Sequence, residues 1–167
     1  MKIILCVLED DARQVAAIRH VVKLEFPEAD LRLATDGEAC LEMLMRDRIM
    51  PDIAILDINT PKLNGLEVLS KLRETKQFKT LPIIMFTTSD SPVDRKSAKE
   101  RGATAYVIKP PIRSMGSVLR SIMDTYVDPT KRPDIRSTWD EIDIVAEKAA
   151  MSVSSNWDDI DSILEGL

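Results

Sequence analysis

Four short apolar runs in this chain each end on a side chain that can do chemistry. Ile53-Ala54-Ile55-Leu56 ends at Asp57 and opens into the loop Ile58-Asn59-Thr60-Pro61. The run Ile3 to Leu8 ends at Glu9-Asp10-Asp11, Ile83 to Phe86 ends at Thr87-Thr88, and Tyr106 to Ile108 ends at Lys109. A carboxylate at the tip of a buried strand is costly unless it has a partner or a job. In an open parallel sheet the strand ends lie along one edge, where such sheets bind ligands. Carboxylates, a hydroxyl and an ammonium gathered there describe a magnesium-assisted phosphoryl-acceptor site. That transfer needs a nucleophile in line, a metal to offset charge on the phosphoryl oxygens, and fixed donors for the rest. Asp57 is the candidate nucleophile and would form an acyl phosphate. Magnesium takes oxygen ligands and keeps several waters, so the acidic triplet is its natural holder.

Each part has a plainer reading when taken alone. An acidic triplet commonly opens a helix, a lysine before a proline is commonly a solvated loop residue, and paired threonines commonly cap a strand end. Their coincidence on one edge favours the chemical reading. His20, the only histidine, falls in the first helical pattern away from that edge and reads as an ordinary helix residue.

The elements that must position these groups alternate along the chain. Strand patterns cover about residues 2–8, 30–35, 52–57, 82–87 and 104–109, and helical patterns about 11–25, 37–48, 64–75, 92–101 and 112–126. Most of the strands are continuous apolar runs, as expected when both sheet faces are covered. Asp36-Gly37 and Gly65 mark helix starts, Pro92 fits a first helical turn, and Gly102 fits a helix end. Five such units predict a flavodoxin-like α/β fold, a doubly wound parallel sheet of order 2-1-3-4-5 with right-handed crossovers.

These residues resemble the receiver domain of two-component response regulators over about residues 2–127. The shared pattern comprises Glu9/Asp10, Asp57 with Pro61 and Gly65 after it, Thr87, Tyr106 and Lys109-Pro110. The Thr-Thr-Ser run and the Leu-Pro before the fourth strand look most like small regulators paired with phytochrome-type kinases. The resemblance implies a phosphoryl group accepted on Asp57 from a histidine kinase or phosphotransfer protein. It implies Mg2+ held by Asp10 and Asp57, by the Asn59 backbone carbonyl, and by Glu9 directly or through water. The sequence alone leaves open which two of Glu9, Asp10 and Asp11 serve; the family pattern selects Glu9 and Asp10. Lys109 would pair with one phosphoryl oxygen and Thr87 with another. Thr87 fits better than Thr88, lying 30 residues after Asp57 and 22 before Lys109. Tyr106 matches the switch aromatic, expected to turn inward as Thr87 moves toward the phosphoryl group. Output would run to a protein partner through the fourth-helix, fifth-strand, fifth-helix face. Such a protein is no enzyme beyond its own phosphorylation and dephosphorylation. Thr88 and Glu9 depart from the commonest pattern and bear on the lifetime of the phosphorylated state.

Two other readings compete. Haloacid-dehalogenase-type phosphatases place a second aspartate two residues after the nucleophile, where this chain has Asn59. The alternative that stays open is a receiver-fold scaffold that signals without phosphorylation. A P-loop hydrolase is excluded by the absence of a glycine-rich loop ending in Lys-Ser/Thr.

With 167 residues the chain suits one domain and an extension. The domain is expected over 1–127, a proline-bearing linker over 128–136, and an acidic tail over 137–167. Residues 128–167 carry ten acidic and four basic side chains, leaving 18 acidic and 19 basic in residues 1–127. Nothing in that tail suggests nucleic-acid binding. No apolar run approaches a membrane span of about 20 residues, and Met1-Lys2 leads straight into a strand pattern. The chain therefore reads as cytoplasmic, with Cys6 and Cys40 as buried hydrophobes rather than a disulfide.

The tail contains an internal repeat. Ser137-Thr138-Trp139-Asp140-Glu141-Ile142-Asp143 recurs, 18 residues on, as Ser155-Asn156-Trp157-Asp158-Asp159-Ile160-Asp161. Both copies open with a cap residue and first-turn acids, and place apolar residues at helical spacing. They resemble short acidic peptides of flagellar-switch proteins and of a chemotaxis phosphatase, which dock as amphipathic helices on a receiver's output face. Trp139 and Ile142 in the first copy, and Trp157, Ile160 and Leu164 in the second, are the expected partner-binding anchors. Residues 91–127 hold seven basic side chains against three acidic, an expected dock for the tail of the same chain or of a second copy in a homodimer.

Overall fold

The computed structural model describes residues 2–128, together with Thr130 and Glu165. Five strands form one sheet: β1 (Ile4–Leu8), β2 (Asp30–Ala34), β3 (Ile53–Leu56), β4 (Ile83–Thr87) and β5 (Ala105–Ile108). Every pairing is parallel and the order is β2-β1-β3-β4-β5, as expected. Alternate residues of each strand feed two separate cores. Cys6, Leu8, Ala54, Leu56, Ile83 and Met85 face one side with Leu44, Val68, Leu69 and Leu72. Leu5, Val7, Ile53, Ile55, Ile84 and Phe86 face the other with Ile18, Val21, Leu119 and Ile122. Both sides being apolar is why the strands read as unbroken runs. Cys6 and Cys40 are free and buried.

Among the described residues five α-helices cover the two faces: α1 (Ala12–Glu25), α2 (Gly37–Leu41), α3 (Gly65–Glu74), α4 (Pro92–Glu100) and α5 (Met115–Tyr126). Their starts are set by side chains that accept backbone N–H groups otherwise left unpaired. Asp11 caps α1 and Asp36 caps α2. Asn64 and Glu67 form a reciprocal capping box on α3, and Ser91 caps α4 ahead of Pro92. Gly102 adopts φ +86° where α4 ends, a conformation that favours glycine.

Two helices differ from expectation. The second is α-helical only to Leu41 and continues as a π-helix over Glu42–Arg46. The widened turn seats Leu44 in the core, with Met43 and Met45 packed partly against it. The fifth opens with a 3-10 turn over Ile112–Ser114, because the Pro110-Pro111 pair delays the α-helical start. The strands are shorter than the expected patterns by one or two residues: β3 stops at Leu56 and leaves Asp57 just beyond the ladder. The expected linker and the tail anchors Trp139, Ile142, Trp157, Ile160 and Leu164 lie outside the described residues. Among the described residues no helix is long and apolar enough to cross a membrane.

The return of the chain from β3 to α3 is very close. A Cβ on Gly65 would stand 1.9 Å from the Asp57 carbonyl oxygen, and one on Gly37 would stand 2.1 Å from the Leu63 carbonyl oxygen. Backbone on both sides leaves no flexible atom to give way. Gly65→Ala is therefore expected to cost about 1–3 kcal/mol, read as a lower urea midpoint, and to displace the Asp57 backbone, read as amide shifts at residues 57–59.

Candidate active site

Register brings the chemical groups together. β1 and β3 are neighbours with Leu8 opposite Leu56, so the residues that follow, Glu9 and Asp57, emerge side by side. The ladder ends in backbone bonds that hold them there: Asp57 N–H donates to the Leu8 carbonyl at 3.0 Å, and Glu9 N–H to Ala34 at 3.0 Å. β4 and β5 pair Thr87 with Ile108, and Lys109 N–H donates to the Thr87 carbonyl at 2.8 Å. Lys109 then reaches back across the edge. Its Nζ donates to Glu9 Oε2 at 2.5 Å and to Asp57 Oδ2 at 2.8 Å. Its side chain is 3% exposed, so this is a desolvated contact and not a surface ion pair. Asp57 Oδ1 is fixed separately, accepting from Ile58 N–H at 2.7 Å.

The acidic triplet divides by geometry. Glu9 is buried and Asp10 is exposed, and each offers a carboxylate oxygen to a cluster with Asp57 in which all such atoms lie within 4.8 Å. Asp11 stands apart from that cluster: its Oδ1 caps α1 by accepting from Arg13 and Gln14 N–H. Asn59 is exposed in the loop beyond Asp57. Three carboxylates against one ammonium leave excess negative charge at a set of hard oxygen donors, which suits a divalent cation such as Mg2+.

Burial pushes the Glu9 carboxyl up from its usual range, more than the bond and charge of Lys109 pull it down; the Asp57 charge adds to the rise. Burial also works against the Lys109 ammonium, yet its bonds to Asp57 and Glu9 outweigh that and hold it above the ordinary lysine value. The ammonium is thus present at any physiological pH.

Thr87 is wholly buried and Thr88 is exposed. Thr87 Oγ1 accepts from Ser89 N–H at 3.2 Å. Tyr106 stands in the inward position. Its ring is 1% exposed, with its hydroxyl donating to the Ser89 carbonyl at 2.9 Å. Arg95 lies over that ring at 5.1 Å.

The expected basic dock on residues 91–127 also changes. Lys109 faces the acidic site, and Arg120 pairs with Glu25 on α1. Arg95 lies over Tyr106, Lys96 pairs with Glu100, and Arg101 donates to Ser97 and Ser70, so at least five of the seven cations are engaged within the domain. What remains on α4 and β5 is a face with two exposed apolar residues, Val93 and Ile108. Sequence reasoning missed Ser89 and Asp94. The signal was available in Ser91-Pro92-Val93-Asp94, which has capping-box spacing, although Asp94 turns its carboxylate to Ser89 at 2.6 Å.

Residues 4–116 match the family model for the response regulator receiver domain. The response regulator MprA of Mycobacterium leprae is 39% identical over 103 residues, which are 62% of this chain and 42% of that protein. The chain thus spans less than half the length of that curated relative. Among solved structures, the Mn(2+)-bound response regulator Rcp1 superimposes with a TM-score of 0.70 at 22% identity, covering 78% of this chain and 99% of that one. RPA3017, a response regulator in red light signalling of R. palustris, gives 0.67 at 27% identity, covering 78% and 96%. A five-stranded doubly wound sheet, an acidic cluster at its edge and a family match over most of the described residues agree: this chain belongs to the response regulator receiver domain family.

Proposed function

We propose that this chain is a two-component response regulator that accepts a phosphoryl group on Asp57. The donor would be the phosphohistidine of a histidine kinase or phosphotransfer protein, and the output would go to a protein partner. The observation that carries this reading is the state of Asp57. One carboxylate oxygen is fixed by Ile58 N–H and the other by Lys109, beside Glu9 and Asp10. That is a nucleophile held in place with its charge partners already assembled.

In the transfer an Asp57 carboxylate oxygen attacks phosphorus and the phosphorus–nitrogen bond of the donor breaks. The imidazole leaves with the electron pair and takes a proton from solvent. Lys109 stays beside Asp57 throughout and pairs with the phosphoryl oxygen that arrives next to it. The Thr87 hydroxyl donates to another. Glu9, Asp10, Asp57 and the Asn59 carbonyl would hold Mg2+, which when bound offsets charge on the phosphoryl oxygens. The partner surface would be the α4–β5–α5 face, where Val93 and Ile108 are exposed. The Mn(2+)-bound form of Rcp1 supports the metal assignment at the level of the fold.

Acetyl phosphate with Mg2+ provides the direct test. The chain is expected to gain one phosphate by intact mass, and Asp57→Asn or chelation of the metal to abolish it. Continued labelling of Asp57→Asn would overturn the assignment. Absence of labelling in the native chain would favour the scaffold, and steady hydrolysis of phosphate esters would favour a phosphatase.

The divided acidic triplet makes a second outcome specific. Mg2+ should stabilise the folded chain, by about 2.7 kcal/mol at a hundred times its Kd. Asp10→Asn should remove most of that gain, whereas Asp11→Asn, still able to cap α1, should keep it. Thermal melts with and without the metal read both.

Lys109→Met would leave two buried carboxylates facing each other, at a cost of about 3 kcal/mol at pH 7. Glu9 already titrates above its unfolded value, so its ionised form costs stability above its folded pKa. Without the ammonium that pKa rises further. As pH falls the folded state takes up the proton first, and the deficit of Lys109→Met relative to native should shrink between pH 7 and pH 5. Urea midpoints at the two pH values measure it.

A further inference from the structure

The loop that leaves Asp57 leans on the start of α2, and one of its residues holds an unfavourable backbone conformation there. Lys62 adopts φ +65°, in the left-handed region that disfavours residues with a Cβ. Such a conformation persists only where its surroundings hold it. Lys62 Nζ stands 2.9 Å from Asp36 Oδ2 and 3.9 Å from Glu38 Oε2. Asp36 is the N-cap of α2, and its Oδ1 accepts from Ala39 N–H at 2.8 Å. Beside this pair, Gly37 N–H donates to the Pro61 carbonyl at 3.3 Å. The Leu63 carbonyl oxygen lies 2.1 Å from where a Gly37 Cβ would stand.

We propose that Lys62 is a positioning residue for Mg2+ in this chain: by pairing with Asp36 it holds the β3–α3 loop on α2 and so sets the direction of the Asn59 carbonyl. The inference rests on the phosphoryl-acceptor reading, which gives that carbonyl to the metal, and adds the side chain that orients it.

Bonds within the loop connect Lys62 to Asn59. The peptide group between Asn59 and Thr60 is planar and trans, so its carbonyl and its N–H point in opposite directions. Thr60 N–H donates to the Ile58 carbonyl at 3.0 Å, which turns the Asn59 carbonyl away from Ile58. Thr60 is held in turn by its hydroxyl, which donates to the Leu63 carbonyl at 3.0 Å. Leu63 follows Lys62, so the left-handed turn at Lys62 decides where that acceptor stands. Ala39 N–H and the Lys62 ammonium hold the Asp36 carboxyl below its usual range, and Asp36 raises Lys62. The pair is therefore charged at neutral pH. Asp36 is mostly shielded and Lys62 is half-exposed. A pair of that exposure shifts an equilibrium by about threefold.

The plain alternative is that Lys62 merely occupies a turn. Glycine separates the two, because it adopts a positive φ without steric cost. Mg2+ is titrated into the full chain and its Kd read from the amide shifts of residues 57–60, with urea melts verifying that each variant is folded. A turn role predicts native affinity in Lys62→Gly. The proposal predicts a Kd about threefold weaker in Lys62→Gly and in Lys62→Met, with Lys62→Arg near native. Simple charge acts the other way, since removing a cation should tighten the binding of another. Asp36→Asn still caps α2 and should weaken Mg2+ to the same extent. The double variant Asp36→Asn, Lys62→Met should be no weaker than either single one, because both remove one interaction. Native or tighter binding in Lys62→Gly, or losses that multiply in the double variant, would overturn the proposal. If the native amides do not respond to Mg2+, the metal assignment of the acceptor reading fails, and the Lys62–Asp36 contact is read in the metal-free chain. There Lys62→Met should speed hydrogen exchange at Thr60 about threefold, and unchanged exchange would overturn the link from Lys62 to the Asn59 peptide.

Discussion

Two carboxylates and one ammonium, removed from water together at the edge of the sheet, are the interaction on which the rest of this structure depends. Glu9 and Asp57 would repel each other at the ends of adjacent strands if Lys109 did not lie between them. Neither carboxylate nor ammonium is tolerable alone at that burial. The arrangement demands a particular topology: β1 and β3 adjacent and parallel, with β5 two strands away and ending at the same edge. An antiparallel pairing would send one of the carboxylates to the opposite edge. The parallel order, the burial of both faces and the chemistry at the edge are thus one requirement seen at three scales.

The loops around that edge show how little freedom is left. α3 begins so close to the β3 end that only glycine fits at position 65, and its N–H donates to the Ile58 carbonyl at 2.9 Å. The Asp57 backbone is therefore confined from behind by α3 and along the sheet by Leu8. Its side chain is confined by Ile58 N–H and Lys109. A carboxylate restrained on every side would lose little entropy on meeting a phosphoryl donor, as the proposed acceptor role requires. On the other side, the segment between β4 and α4 is built from short polar side chains that bond to one another.

Adjacent acids in the triplet illustrate how position, not residue type, decides role. Glu9 still belongs to the strand direction and points to the edge with Asp57. Asp11 has turned into the helix and satisfies two N–H groups of its first turn. Asp10, between them, is exposed and contributes its oxygen to the cluster from the solvent side. A helix N-terminus beside an anionic cluster also suits the macrodipole of α1, whose positive end lies there.

Most of the fold and most of the candidate site were legible in the sequence for identifiable reasons. Unbroken apolar runs ending in polar residues can be read as buried parallel strands, because only full burial of both faces tolerates them. Residues at those ends share an edge by topology alone, so Asp57, Glu9, Thr87 and Lys109 could be named without coordinates. Helix-end signals at Asp36, Pro92 and Gly102 were legible because they act within a few residues. What tertiary structure alone decided is non-local or degenerate in sequence. Which of three consecutive acids faces the cluster depends on where β1 stops and α1 starts, a difference of one residue that propensity cannot resolve. The inward Tyr106 depends on a carbonyl 17 positions away in the chain, and Arg120 is taken from the expected dock by Glu25 of a helix at the other end of the domain. The π-turn at Glu42–Arg46 follows from how Leu44 packs, not from its neighbours in sequence. Local hydrogen bonding and hydrophobic period are written in adjacent residues; the partners of a long polar side chain are settled only when distant elements pack.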